Sequence, residues 1–183
     1  MSEYSQSQST GRVILETERL FLRKFFSEDG PFILNLLTQP SFLEFIGDRG
    51  VHDIGSAKNY ILQQQSQYRE PGYGSYGVVL KKTGALIGMT GIKKRETLPH
   101  PDIGYAFLPH YWHKGYAFEG AQAMLNYSKT ELGMEVVVAF TSPDNVASQK
   151  LLKKLGMTLK KSMRAKETDE VSLLFEPSKT HLQ

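Results

Sequence analysis

Between Asp102 and Ala117 the chain has few conformations open to it. Asp102-Ile-Gly-Tyr-Ala-Phe-Leu108 is a strand-forming run, and Pro109, which has no N–H, prevents its continuation. A helix then opens at Gly115, and the spacing of Ala117, Ala121, Met124, Leu125 and Leu132 carries it to Leu132. Gly115 lets a ligand approach the backbone, and Ala117 keeps the first turn narrow. Free N–H groups at such a helix start face outward with the positive end of the dipole, an arrangement that suits a phosphate. His113 and Lys114 add side-chain donors. The same Gly-x-Ala spacing also suits a tight turn with no ligand, and alone it does not separate the two readings.

A second segment has the same grammar. Glu135–Thr141 is a β-branched run too short for a helix, so it reads as a buried strand. It ends in Ser142-Pro143, and a helix follows from Asn145 to Leu155, stopped by Gly156 with Lys153 and Lys154 in its last turn. Asp144 or Asn145 suits an N-cap, Ser148 suits an exposed helical position, and the three lysines suit a solvated face.

The rest of the chain supplies the frame. Glu18–Phe25 alternates as a half-buried strand, Ser27-Glu-Asp before Pro31 starts a helix that Pro40 ends, and a further helix spans Ile54–Arg69. Strands follow at Tyr76–Lys82, Leu86–Arg95 and Asp102–Leu108, with Thr83-Gly84 as a hairpin turn. Leu159–Met163 and Val171–Phe175 form a closing pair. This order of elements means an α/β or α+β fold with a mixed sheet.

Composition narrows the function. The chain has 183 residues, and one domain from about Arg12 to Pro177 is expected, with residues 1–11 and 178–183 as polar tails. Zero cysteines exclude disulfides, thiolate metal sites and a cysteine-linked intermediate, and fit a reducing compartment. A net charge of +3 without an arginine-rich tract argues against a nucleic-acid partner. No apolar run approaches a membrane span, and the N-terminus lacks the apolar core of a signal peptide, so a cytoplasmic address is expected.

Taken together, the two segments resemble the GNAT superfamily of acetyl-CoA-dependent N-acyltransferases, in the branch of ribosomal-protein N-terminal acetyltransferases (RimJ/RimL type). Leu15-Glu-Thr-Glu-Arg-Leu-Phe-Leu-Arg23 looks like that branch's first strand. Ile103-Gly-Tyr105 with Pro109-His-Tyr-Trp-His-Lys-Gly-Tyr-Ala-Phe-Glu119 looks like its pantetheine strand and pyrophosphate loop, with Trp112 where the family usually has Arg or Gln. Asn145-Val-Ala-Ser148 through Leu155-Gly-Met157 looks like its second CoA helix. The resemblance covers Leu15 to Phe175. It implies an α+β, three-layer fold with a mixed, mostly antiparallel sheet of about seven strands and about four flanking helices.

For the site, the resemblance implies that N–H groups around His113, Lys114, Gly115, Tyr116 and Ala117 hold the pyrophosphate. Phe107 and Leu108 pair with pantetheine, Asn145 contacts the CoA arm, and Lys150 is a further phosphate contact. The implied reaction is direct acetyl transfer to a primary amine, either a protein N-terminal α-amine or a small molecule, with no metal. The expected base is Asp102, with His100 and His110 as nearby alternatives. The family's tyrosine acid is replaced by Leu152, and Ser148 takes its place. The N–H of Leu108 is expected to polarise the thioester carbonyl. The acceptor pocket is expected between the first two helices, the Tyr73–Tyr76 loop and the Arg95–Pro101 connection, where Phe42, Phe45, Tyr73 and Tyr76 suit either its lining or the core. The missing tyrosine also leaves open a non-catalytic acyl-CoA-binding module. A monomer and a homodimer both suit the sequence.

Overall fold

The computed structural model describes residues 13–96, 98–164 and 171–178. The expected N-terminal tail and nearly all of the C-terminal one lie outside these residues. Strands β1 (Val13–Glu16) and β2 (Leu20–Arg23) come first. The expected single first strand is thus a hairpin, because Thr17 turns the chain. Its N–H donates to Leu20 O (2.9 Å), and the Leu20 N–H donates back to its hydroxyl (3.0 Å).

Helices α1 (Gly30–Leu37), α2 (Pro40–Phe45) and α3 (Ile54–Gln67) follow. Pro31 and Pro40 occupy first-turn positions, where a missing N–H costs nothing. Pro40 therefore starts a short extra helix rather than merely ending the first. Asp53 caps α3 through Ser56 in a reciprocal box. Then come β3 (Ser75–Leu80), β4 (Ala85–Lys93), β5 (Asp102–Phe107), α4 (Tyr116–Thr130), β6 (Val138–Thr141), α5 (Val146–Lys154), β7 (Met157–Arg164) and β8 (Val171–Pro177).

The described residues form one eight-stranded sheet in the order β1-β2-β3-β4-β5-β6-β8-β7. All neighbours are antiparallel except β5 and β6. Eight strands and five α-helices replace the expected seven and four, through the Thr17 turn and the helix at Pro40. No helix among the described residues is long and apolar enough to cross a membrane.

Side-chain alternation gives the sheet two apolar faces. Leu20, Leu22, Val78, Ile87, Ile92 and Ile103 lie against α4 and α5 with Ala121, Met124 and Leu152. Met89, with Ala106 and Leu108 beside it, lies against Ile33, Leu36, Phe42, Ala57 and Ile61 of α1–α3. Phe42 and Tyr76 are therefore core, at 4% and 1% exposure, whereas Phe45 and Tyr73 are half-buried.

One ion pair is sealed into this packing. Arg23 of β2 donates two bonds to Asp29, at 2.7 and 2.8 Å, and both side chains are buried. Asp29 also accepts the Phe26 N–H at the entry to α1. Removing one partner strands a buried charge. Asp29→Ala is expected to lower unfolding free energy by about 3–5 kcal/mol in urea titrations.

Candidate functional site

The site begins where β5 ends. Pro109–Tyr111 forms a 3₁₀ turn, and the Trp112 indole N–H donates to Phe107 O at 2.7 Å, folding the loop back on the strand. His113 (φ 59°) and Gly115 (φ 82°) both adopt left-handed backbone before α4 starts at Tyr116. That costs little at Gly115 and more at His113. The N–H groups of Tyr116, Ala117 and Phe118 form the first turn of α4, and the first intrahelical bond to Gly115 O comes only from Glu119.

Arg19 locks this turn from below. Its guanidinium donates to Lys114 O (3.0 Å) and to Glu119 Oε2 (2.6 Å), and it sits 4.6 Å from the centre of the Tyr116 ring. The Arg19 N–H and the Thr17 hydroxyl both donate to Glu119 Oε1, at 2.8 and 2.6 Å. Burial pushes the Glu119 carboxyl up, but these hydrogen bonds and the guanidinium outweigh it and hold the group below its ordinary value. Thr17, Arg19 and Glu119 were visible only as parts of the resembling segments, since nothing in their spacing brings residues 100 apart together.

The second half is a gap in the sheet. β5 and β6 pair only at Asp102↔Val138 and Ile103↔Ala139. Beyond that point β5 runs on to Phe107 while β6 diverges. The N–H of Leu108 donates to Ile87 O on β4 (3.0 Å), so by alternation the backbone groups of Tyr105 and Phe107 face the gap. This corrects two expectations. Leu108 cannot polarise a carbonyl in the gap, because its N–H is spent on β4 and its C=O accepts from Tyr111 N–H (2.9 Å). At Phe107 the C=O is occupied by Trp112, leaving its N–H on that edge. At Gly104 an added Cβ would meet nothing within 4 Å, so the sheet is open just where the gap closes.

Across the gap lies α5. Asn145 is its N-cap, accepting the Ser148 N–H at 3.0 Å. The Ser148 hydroxyl lies 2.9 Å from the Tyr105 hydroxyl, joining β5 to α5. Burial pushes the Tyr105 phenol up to about 12, against a small opposing effect of the Ser148 bond, so it keeps its proton at neutral pH. Leu152 is core, at 1% exposure. Lys150 is exposed, while Lys154 is not simply solvated: its ammonium lies 4.3 Å from the centre of the Phe118 ring on α4.

Asp102 is buried on the α1–α3 face of the sheet and takes a bidentate pair from Arg95, at 2.6 and 3.1 Å. His100 is exposed on the Pro99–Pro101 turn, and His110 stands exposed at the opposite end of β5, stacked edge-on with Tyr111.

The start of α4 thus opens onto a sheet gap lined by an unpaired stretch of β5 edge. Residues 19–158 match the family described as acetyltransferase (GNAT) domain. The chain belongs to the GNAT family. It is an N-acetyltransferase, as its relatives are named. The chain is similar to the uncharacterized N-acetyltransferase YnaD of Bacillus subtilis (strain 168), with 29% identity over 143 residues, 78% of this chain and 81% of that protein. Among solved structures, an acetyltransferase from Agrobacterium tumefaciens str. C58 superposes with a TM-score of 0.76 at 25% identity, covering 90% and 94% of the two chains. The fold is shared with Mycobacterium smegmatis RimJ, solved in complex with CoA-disulfide, at a TM-score of 0.76 and 18% identity over 89% and 83%.

In this GNAT protein the Arg19–Glu119 clamp orders the turn before α4, the turn expected to meet CoA. Arg19→Ala is expected to raise the CoA Kd on the order of tenfold by calorimetry, since the loop must then order on binding. Because the folded Glu119 carboxyl sits below its ordinary value, the clamp is complete at neutral pH and is lost as pH falls through that lowered value. CoA affinity of the parent should drop in that acid range, and Glu119→Gln should flatten the drop.

Proposed function

We propose that this protein transfers the acetyl group of acetyl-CoA directly to a primary amine, on a protein N-terminus or a small molecule. The observation that carries this reading is the early end of the β5–β6 ladder. It leaves a slot with the α4 N-terminus at one end and open space at Gly104 at the other. The N–H groups of the 114–117 turn would hold the pyrophosphate, with His113 and Lys114 in the loop and Lys150 on α5 as the proposed further donors. The edge of Phe107 and Tyr105 would pair with the pantetheine arm, and Asn145 borders its path.

Acetyl-CoA supplies an activated acyl carbon and a thiol leaving group. In the transfer a C–N bond forms and the C–S bond breaks. One amine proton leaves and one proton reaches the sulfur. Asp102 is the proposed proton acceptor: it is buried where the gap closes, and Arg95 fixes its orientation while each oxygen keeps a second lone pair for an amine or a relaying water. Ser148 is the proposed donor to sulfur, with the Tyr105 phenol behind it as proton source. The Tyr105 and Phe107 N–H groups take over the carbonyl-polarising role first expected of Leu108.

Thiol release from acetyl-CoA with a panel of amines tests the reading; CoA binding without release for every amine would overturn it. Asp102→Asn should cut kcat about a hundredfold with CoA affinity kept. Ser148→Ala should cost roughly tenfold, and Tyr105→Phe less. Full activity in Asp102→Asn would remove that residue as the base.

A further inference from the structure

On the α1–α3 face, beside the open space at Gly104, the structure gathers more positive charge than it neutralises. Asp102 and Gly104 are two apart on β5 and point to one face, and Lys93 on β4 lies directly opposite Asp102. Met89 and Ala106, at the same alternation, pack under α1–α3 and identify the face. Lys93 thus sits about 7 Å along the strands from the Gly91↔Gly104 pair. Arg95 approaches Asp102 from the β4–β5 connection, and Arg49, in the loop before α3, donates to Ile46 O at 3.1 Å and adds to the positive field at Lys93.

The charges do not balance. Each Asp102 oxygen accepts one bond from Arg95, so its charge is already matched by one cation while its free lone pairs remain. No carboxylate of the described residues lies within 4.0 Å of Lys93. Asp48, next to Arg49 in the loop, accepts the Gly50 N–H at 2.7 Å and lies 3.4 Å from His52. Burial, then Arg49 and Arg95, hold the Lys93 ammonium below its ordinary value, and Asp102 only partly opposes them. A half-buried ammonium beside the Arg95–Asp102 pair, in the added positive field of Arg49, favours an incoming anion and repels a polycation.

We propose that the acceptor is a small amine of the amino-acid class, whose carboxylate is bound by Lys93 with Arg95 beside it while its amine faces Asp102 at Gly104. The proposal rests on the acetyl-transfer reading above and narrows its acceptor. Cross-strand neighbours such as Lys93 and Asp102 have Cβ atoms roughly 5 Å apart. That spacing matches a substrate whose positive and negative groups are separated by one or a few carbons.

Matched acceptors supply the test: amino acids, their methyl esters and amides, spermidine, and a short peptide with a free α-amine. The free amino acids should exceed their esters in kcat/KM by about tenfold or more, chiefly through KM, as a charge-assisted contact would give. Lys93→Met should erase that preference by raising the amino-acid KM. Calorimetry supplies a readout free of turnover. An N-acetylated amino acid titrated into the CoA-loaded protein should bind, and more weakly by about tenfold in Lys93→Met, with CoA affinity and thermal midpoint confirming the fold of the variant. Equal or better use of esters, spermidine or the peptide overturns the proposal and leaves acetyl transfer standing, as does a preference retained in Lys93→Met. Absence of thiol release with every amine overturns the function itself, and the calorimetric arm then decides the carboxylate site alone.

Discussion

The parallel pairing of β5 with β6 stops after two residue pairs, and the rest of the site is arranged around that stop. A parallel ladder continued to Phe107 would occupy the strand edge of Tyr105 and Phe107 and seal the sheet from one face to the other. Its early end leaves backbone donors on an edge with no strand beside them, a costly state unless something else pairs with them. The Pro101 carbonyl, accepting from Val138 N–H, marks the closed end of the slot, and the helix start at Tyr116 marks the other. Gly104, just past the last pair, adds no side chain to obstruct the crotch.

An open edge alone does not make a binding site, because the turn that meets the ligand must be held. Two left-handed residues within three positions give the 113–115 turn its shape, and such a turn persists only when its surroundings over-determine it. Here the constraint comes from the opposite end of the chain. The Thr17 turn brings Arg19 beneath Lys114 and Glu119, and Trp112 ties the loop to the last residue of β5. The β1–β2 hairpin, the farthest strands from the gap in sheet order, is thereby coupled to the helix start that opens it.

Much of this was legible in the sequence, and the failures have a common cause. Local chemistry was readable: Pro109 ending β5, Gly115 opening α4, Asn145 capping α5, Gly84 turning the β3–β4 hairpin. Relations between distant segments were not. Alternation across 18–25 looks the same whether the chain is one strand or the second arm of a hairpin, and only the Thr17 hydroxyl bond distinguishes them. Leu108 appeared available because its N–H has no partner in sequence; its partner is Ile87, a β4 residue whose register cannot be read from spacing. Arg95 escaped notice beside Asp102 because a surface arginine in a loop carries no signal until the strand pairing folds it back.

The absence of cysteine then acquires a geometric meaning. With no cysteine to carry the acyl group, the direct transfer proposed above brings thioester and amine together in one site. The two reactants differ in size and charge, and each needs a surface of its own. The sheet provides two: α4 and α5 border one face, with the anion-facing helix start, and α1–α3 border the other, with Lys93 and Asp102. A continuous sheet would keep them about 10 Å apart, the thickness of one packed layer. In the proposed reaction, the break between β5 and β6 is the place where a reactive carbon held from one side would meet a nitrogen held from the other. On that reading, the same two pairs that keep β5 and β6 in one sheet would also limit how far the acyl arm can travel, and fix where the amine would wait.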